Sequence, residues 1–128
     1  MSPTAHVISG VLLLIVITVM FGGFSLLWLL PRDRLSAEQV SSFRAGHAHA
    51  GVLLILTLVV VDLADRAGAS ESTLWMTAAA LFIFALAQSG GFFIALGNRR
   101  LGRIVTTVGA AGLAIAVATA AVWLLSRG

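Results

Sequence analysis

The chain contains no cysteine, no lysine and no tyrosine. Without cysteine there is no disulfide framework, no thiolate metal site and no cysteine nucleophile. Charge is also scarce. Only 10% of the residues are Asp, Glu, Lys or Arg, against about a quarter in a soluble domain. There is no glycine loop of the phosphate-cradling kind and no Ser-His-Asp set, and the carboxylates nearest an apolar run, Asp62 and Asp65, close it rather than interrupt it. A small multidrug exporter would rely on an acidic group inside the membrane, and none is present. These absences remove the usual hydrolytic and nucleotide-binding chemistries, and no catalysis is expected.

What remains is apolar. Hydrophobic residues make up 59% of the 128, and the mean hydropathy is +1.06. A soluble fold could not hide so much apolar side chain, whereas a bilayer covers it. Four runs, roughly 6–30, 46–63, 74–96 and 104–125, each approach the ~20 residues a helix needs to cross the hydrocarbon layer. Backbone polar groups in lipid must be satisfied within the segment, so these runs are predicted to be helices. Pro31 marks the end of the first. The leading Met1 to Thr4 stretch lacks the basic residues of a cleavable signal, so the first run is read as a retained span. Short connections force antiparallel neighbours. The expectation is therefore a single all-α integral membrane domain over residues 1–128, an up-and-down four-helix bundle.

The basic residues orient it. All eight are Arg, and they flank apolar runs, so the net charge of +3 is no sign of nucleic-acid binding. Arg32, Arg34 and Arg44 lie in the first connection and Arg99, Arg100 and Arg103 in the third. The second connection has Arg66 among Asp62, Asp65 and Glu71, and the tail has Arg127 alone. The positive-inside rule then places the first and third connections in the cytoplasm and both termini outside. Trp28, Trp75 and Trp123 fall near span ends, where amphipathic rings settle.

Small residues recur every four positions, as Ala87, Gly91 and Ala95 in the third run and Gly112, Ala116 and Ala120 in the fourth. Such stripes let helix backbones approach closely, within a bundle or across a homodimer. A weak internal echo links Phe21-Gly22-Gly23-Phe24 with Ser89-Gly90-Gly91-Phe92, each preceding an Arg-bearing connection. A real repeat would set a pseudo-two-fold axis along the membrane normal.

The segment Phe43-Arg44-Ala45-Gly46-His47-Ala48-His49-Ala50-Gly51 opens the second run. Ionisable side chains inside a span are costly and usually mark a site. Residues i and i+2 lie about 200° apart on a helix, so His47 and His49 do not readily hold one ion together. One is a candidate ligand while the other points to a neighbouring helix, a second site or the interface; alternatively His47 caps the helix and His49 alone is the ligand. An interfacial pair bonded to backbone and headgroups, or a proton-handling pair titrating near neutral pH, are the competing readings.

Gly46-His47-Ala48-His49-Ala50-Gly51-Val52-Leu53 resembles the His-x-His segment of haem–copper oxidase catalytic subunits, the cbb3-type above all. In that family two histidines from one helix face opposite ways and ligate two different haem irons. The wider stretch resembles small bacterial four-helix membrane proteins with an Arg-Ala-Gly-His-Ala-His-Ala-Gly run, which implies the bacterial cytoplasmic (inner) membrane. An oxidase subunit has many more helices and three histidines for copper; here the remaining histidine is His6, so a copper–haem oxygen-reducing centre is not implied.

The resemblance implies haem as cofactor and His47 and His49 as candidate iron ligands, by a five-coordinate site on His49 or a bis-His site across a dimer. Arg44, one turn before His47, is the better candidate for a haem propionate, ahead of Arg99, Arg100 and Arg103. Gln88 and Ser89 lie deep in the third run and either bond across the bundle or line the site, and Phe92 and Phe93 either pack on a porphyrin or serve ordinary packing. His6, some 25–35 Å away, is expected to be solvated. The functions that follow are haem binding for electron transfer, gas sensing or haem handling; an accessory or scaffold subunit of a larger membrane complex; or a proton or small-solute permease.

Overall fold

The computed structural model describes residues 1–28 and 35–127. The expected end of the first span at Leu30 and Pro31, the loop residues Arg32 and Arg34, and the Trp28 ring lie outside the described residues. Four helices account for nearly all the rest: α1 (Pro3–Trp28), α2 (Ala37–Arg66), α3 (Glu71–Ile94) and α4 (Arg99–Leu125). Among the described residues there is no strand. All four helices are long and apolar enough to cross a membrane.

Local chemistry sets the helix ends. Ser2 precedes Pro3 and its hydroxyl accepts the Ala5 N–H at 3.2 Å, which suits a proline in the first helical position. The Ser2 N–H in turn donates to both oxygens of Asp65, at 3.0 and 3.2 Å, and ties the start of α1 to the end of α2. α2 ends in a Schellman turn. Gly68 takes a left-handed φ of 77°, Ala69 N–H bonds the Ala64 carbonyl and Gly68 N–H bonds that of Asp65. Ser70 and Asn98 cap α3 and α4 through Thr73 N–H and Leu101 N–H.

The second helix departs from the sequence reading. It starts at Ala37, nine residues before the expected 46, because Ser36 and Gln39 form a reciprocal capping box: Gln39 N–H bonds the Ser36 hydroxyl at 3.2 Å and Ser36 N–H bonds Gln39 Oε1 at 2.8 Å. The first turns are polar, so an apolar run could not reveal them. Arg99, at the first turn of α4, pairs with Glu38 and holds this extension against the next connection. The His pair thus lies about 15 Å inside α2, and His47 is no helix cap.

Consecutive helices pack antiparallel. The start of α1 meets the end of α2 through Ser2 and Asp65, and Phe43 near the start of α2 meets Phe93 at the end of α3, ring centroids 5.3 Å apart. Two apolar cores share the α2–α3 pair. One joins Ala5, Ile8 and Leu12 of α1 to Leu54, Val61 and Ala64 of α2 and to Leu74 and Ala78 of α3. The other joins Leu53 and Val60 of α2 to Leu81 and Ala85 of α3 and to Leu113 of α4. Successive residues on a helix point about 100° apart, so Leu53 and Leu54, and Val60 and Val61, serve different cores. The backbones of α1 and α4 do not approach one another among the described residues. The bundle is therefore open: α1 and α4 flank a central pair. Burial follows that layout, with a third of the most apolar stretch of α2 covered but only 11% of that of α4.

The small-residue stripes serve contacts within the chain. A side chain at Gly91 would strike Thr106 and the Gly102 carbonyl, one at Gly102 would strike Ala95, and one at Gly109 would strike the backbone of Ala87 and Gln88. Ala87, Gly91 and Ala95 therefore do face α4, but their partners are Gly102, Thr106 and Gly109. Gly112 packs under the Phe84 ring instead, and Ala116 and Ala120 pack on the second core.

Candidate functional site

The His pair sits where α2 is crossed by α1 on one flank and by α3 on the other. The His47 ring lies over Gly23 of α1: a Cβ there would come within 2.6 Å of Nε2 and 2.7 Å of Cε1. A side chain at this position would displace the imidazole from between the two helices. The His49 ring lies against Phe92 of α3, with centroids 5.1 Å apart and planes tilted by 37°. Each is half-buried. The two rings therefore serve different helices, as their spacing along α2 requires, and they do not converge on one ion. Among the described residues no group of three or more His, Asp or Glu side chains is placed to hold a metal.

His49 carries the more informative geometry. Its Nδ1 is 2.8 Å from the Ala45 carbonyl oxygen, one turn back. A carbonyl only accepts, so Nδ1 carries the hydrogen and, in the neutral ring, Nε2 keeps a bare lone pair. Metal-ligating histidines usually show this arrangement, the second nitrogen donating to a backbone carbonyl and fixing the tautomer. For His47, Nε2 faces the Gly23 backbone, which leaves no space for a large group on that side.

The other expected site residues are scattered around this crossing. Arg44 is exposed and makes no ion pair among the described residues. Gln88 and Ser89 are one turn along α3 from Phe92 and Phe93. Neither Gln88 Oε1 nor Ser89 Oγ, both buried, finds a hydrogen-bond partner, so the interhelical bonds expected of them are not formed. Ser89 is only 3% exposed, and its carbonyl lies against Gly46. Such orphaned groups are uncommon in a folded interior. Phe93 closes over Gly46 and stacks edge-on to Phe43. His6 is exposed and its Nδ1 bonds the Ser2 carbonyl at 3.0 Å. It is separated from the Gly23–His47 contact by about 25 Å of helix rise, too far to share a ligand with His47.

The residue that sequence reasoning undervalued is Gly23. The echoed Phe-Gly-Gly-Phe and Ser-Gly-Gly-Phe segments now have a common packing pattern. Gly22 and Gly90 face open space, whereas Gly23 and Gly91 lie against the following helix. Gly22→Ala is accordingly expected to leave thermal stability in detergent within ~0.5 kcal/mol of the parent. Gly23→Ala should cost about 1–3 kcal/mol, since the His47 ring must leave its seat. Equal melting temperatures for the two variants would contradict the Gly23–His47 contact.

Comparison with known proteins gave no matching family model, no matching curated protein and no matching solved structure.

Proposed function

We propose that this chain is a multi-pass protein of the bacterial cytoplasmic membrane, both termini outside, that binds haem through His49. The observation that carries this reading is the His49 ring itself: half-buried in an apolar span, Nδ1–H committed to Ala45, Nε2 free to donate a lone pair. The donor chemistry of His49, with Nε2 bare, fits a haem iron. The described residues place no second imidazole on that flank, so His49 would hold the group from this chain alone. His47 is read as a positioning residue that seats α1, and exposed Arg44, one turn before it on α2, as the cation for a propionate. Bound haem would supply one-electron redox chemistry or gas binding. The chain's own part is to orient His49, hold its tautomer and keep bulk water away.

The test is the visible spectrum of protein purified in mild detergent. A Soret band is expected; His49→Ala should abolish it, and His47→Ala should retain it while lowering thermal stability. A colourless preparation that also takes up no added haem would end this reading.

A second reading, an accessory subunit in a larger membrane complex, is favoured by the open bundle. α1 and α4 expose most of their apolar length, including Leu14, Ile17, Phe21, Ile115 and Val122. Pigment-free co-purification with a respiratory complex would support it.

A further inference from the structure

Between the N-terminal half of α3 and the C-terminal half of α4 runs an apolar groove of about 450 Å³, floored by Ala80, Phe84, Gly112 and Ala116 and reaching Trp123 and Leu124. α4 rises ~18 Å from Gly112 to Leu124. That is close to the ~15 Å of hydrocarbon in one leaflet. An apolar groove of that length, running along both helices, suits one acyl chain. Its walls are almost wholly apolar: of the three threonines lining it, the Thr119 hydroxyl donates to the Ile115 carbonyl at 2.8 Å, the Thr73 hydroxyl bonds Ser70 at 2.8 Å, and the Thr77 hydroxyl makes no hydrogen bond among the described residues.

The end of the groove is cationic. The Arg127 guanidinium lies over the Trp123 ring, 4.8 Å from its centroid, and makes no ion pair among the described residues. Of the carboxylates at this end, Asp62 is paired with Arg66 and Asp65 is bound by Ser2, which leaves Glu71, exposed in the first turn of α3. A tryptophan at the level of lipid headgroups with an arginine over it is suited to a phosphate above and an alkyl chain below.

We propose that this groove is a phospholipid site, one acyl chain lying between α3 and α4 and the phosphate meeting Arg127. The site rests on the membrane reading of the chain and is independent of haem. In protein carrying Trp28→Phe and Trp75→Phe, Trp123 is the sole tryptophan. Delipidated in detergent, this protein is titrated with phosphatidylglycerol brominated along its acyl chains, which quenches a tryptophan it touches. Quenching should saturate at about one lipid per chain. Ala80→Leu, which fills the groove, should raise the midpoint more than tenfold, several methylenes losing their seat. Arg127→Gln should raise it about fivefold; being exposed, it leaves the fold intact and decides the matter even if Ala80→Leu fails to fold. Quenching that grows without saturation and ignores both substitutions would overturn the site. So would cross-linking of a second copy into the groove with Trp123 shielded from the brominated chains.

Discussion

Gly109→Val is expected to unseat α4 from α3 and to destroy the monodisperse fold in detergent. A Cβ at this position would overlap the amide nitrogen and Cα of Gln88 and the carbonyl carbon of Ala87. These are backbone atoms of a helix, so no rotamer change relieves the clash, and the two axes must separate along the whole interface. Overpacking a well-fitted core with extra methyl groups costs about 1–3 kcal/mol where side chains can yield, and here they cannot. Helices in lipid also lack a strong hydrophobic drive to reassociate at a wider spacing, because association depends on close van der Waals contact. The contacts at Gly91 and Gly102, which continue the same seam, would be lost with it. Gly10→Val is the control, since nothing lies within 4 Å of a Cβ there. Size-exclusion profiles and denaturation midpoints should separate the two variants. An undisturbed Gly109→Val protein would mean that α3 and α4 do not meet along this seam.

Leu81→Ala should cost about 2–5 kcal/mol, the range for deleting a buried leucine side chain. Leu81 is fully buried at the centre of the second core, between Leu53 and Val60 of α2 and Leu113 of α4. The loss arises from contacts that a cavity cannot replace. Ile83, two residues on, is 59% exposed and faces away from the neighbouring helices. Lipid tails would cover it equally well before and after truncation, so Ile83→Ala should stay within ~0.5 kcal/mol of the parent. Reversible unfolding in mixed micelles would measure both. If the two truncations cost the same, the assignment of one face to the core and the other to lipid fails.

Much of this architecture was legible from residues alone. The four apolar runs foretold four helices because the length of a span is set by the thickness of hydrocarbon and its conformation by backbone satisfaction. The misplaced start of α2 has an equally plain cause: hydropathy finds the lipid-facing part of a helix and misses polar turns beyond it. Ser36-Ala37-Glu38-Gln39 held the missing signal, a capping box four residues long. The candidate site was half legible. Spacing of two along a helix dictated that His47 and His49 part company, but not which helix each would meet.

Residue order alone dictates an all-helical chain with four membrane-length segments, with a His-x-His pair opening the second apolar run. Those outcomes follow from composition and from periodicity along one helix, and both are local. It took the packed bundle to set Gly23 under His47 and Phe92 against His49, to leave Gln88 Oε1 and Ser89 Oγ without partners, and to keep α1 and α4 apart among the described residues. In segments apolar all round, every face is equally suited to lipid, so hydropathy carries no azimuth; the faces are chosen by where glycine and alanine let backbones come close, a matter of fit between helices.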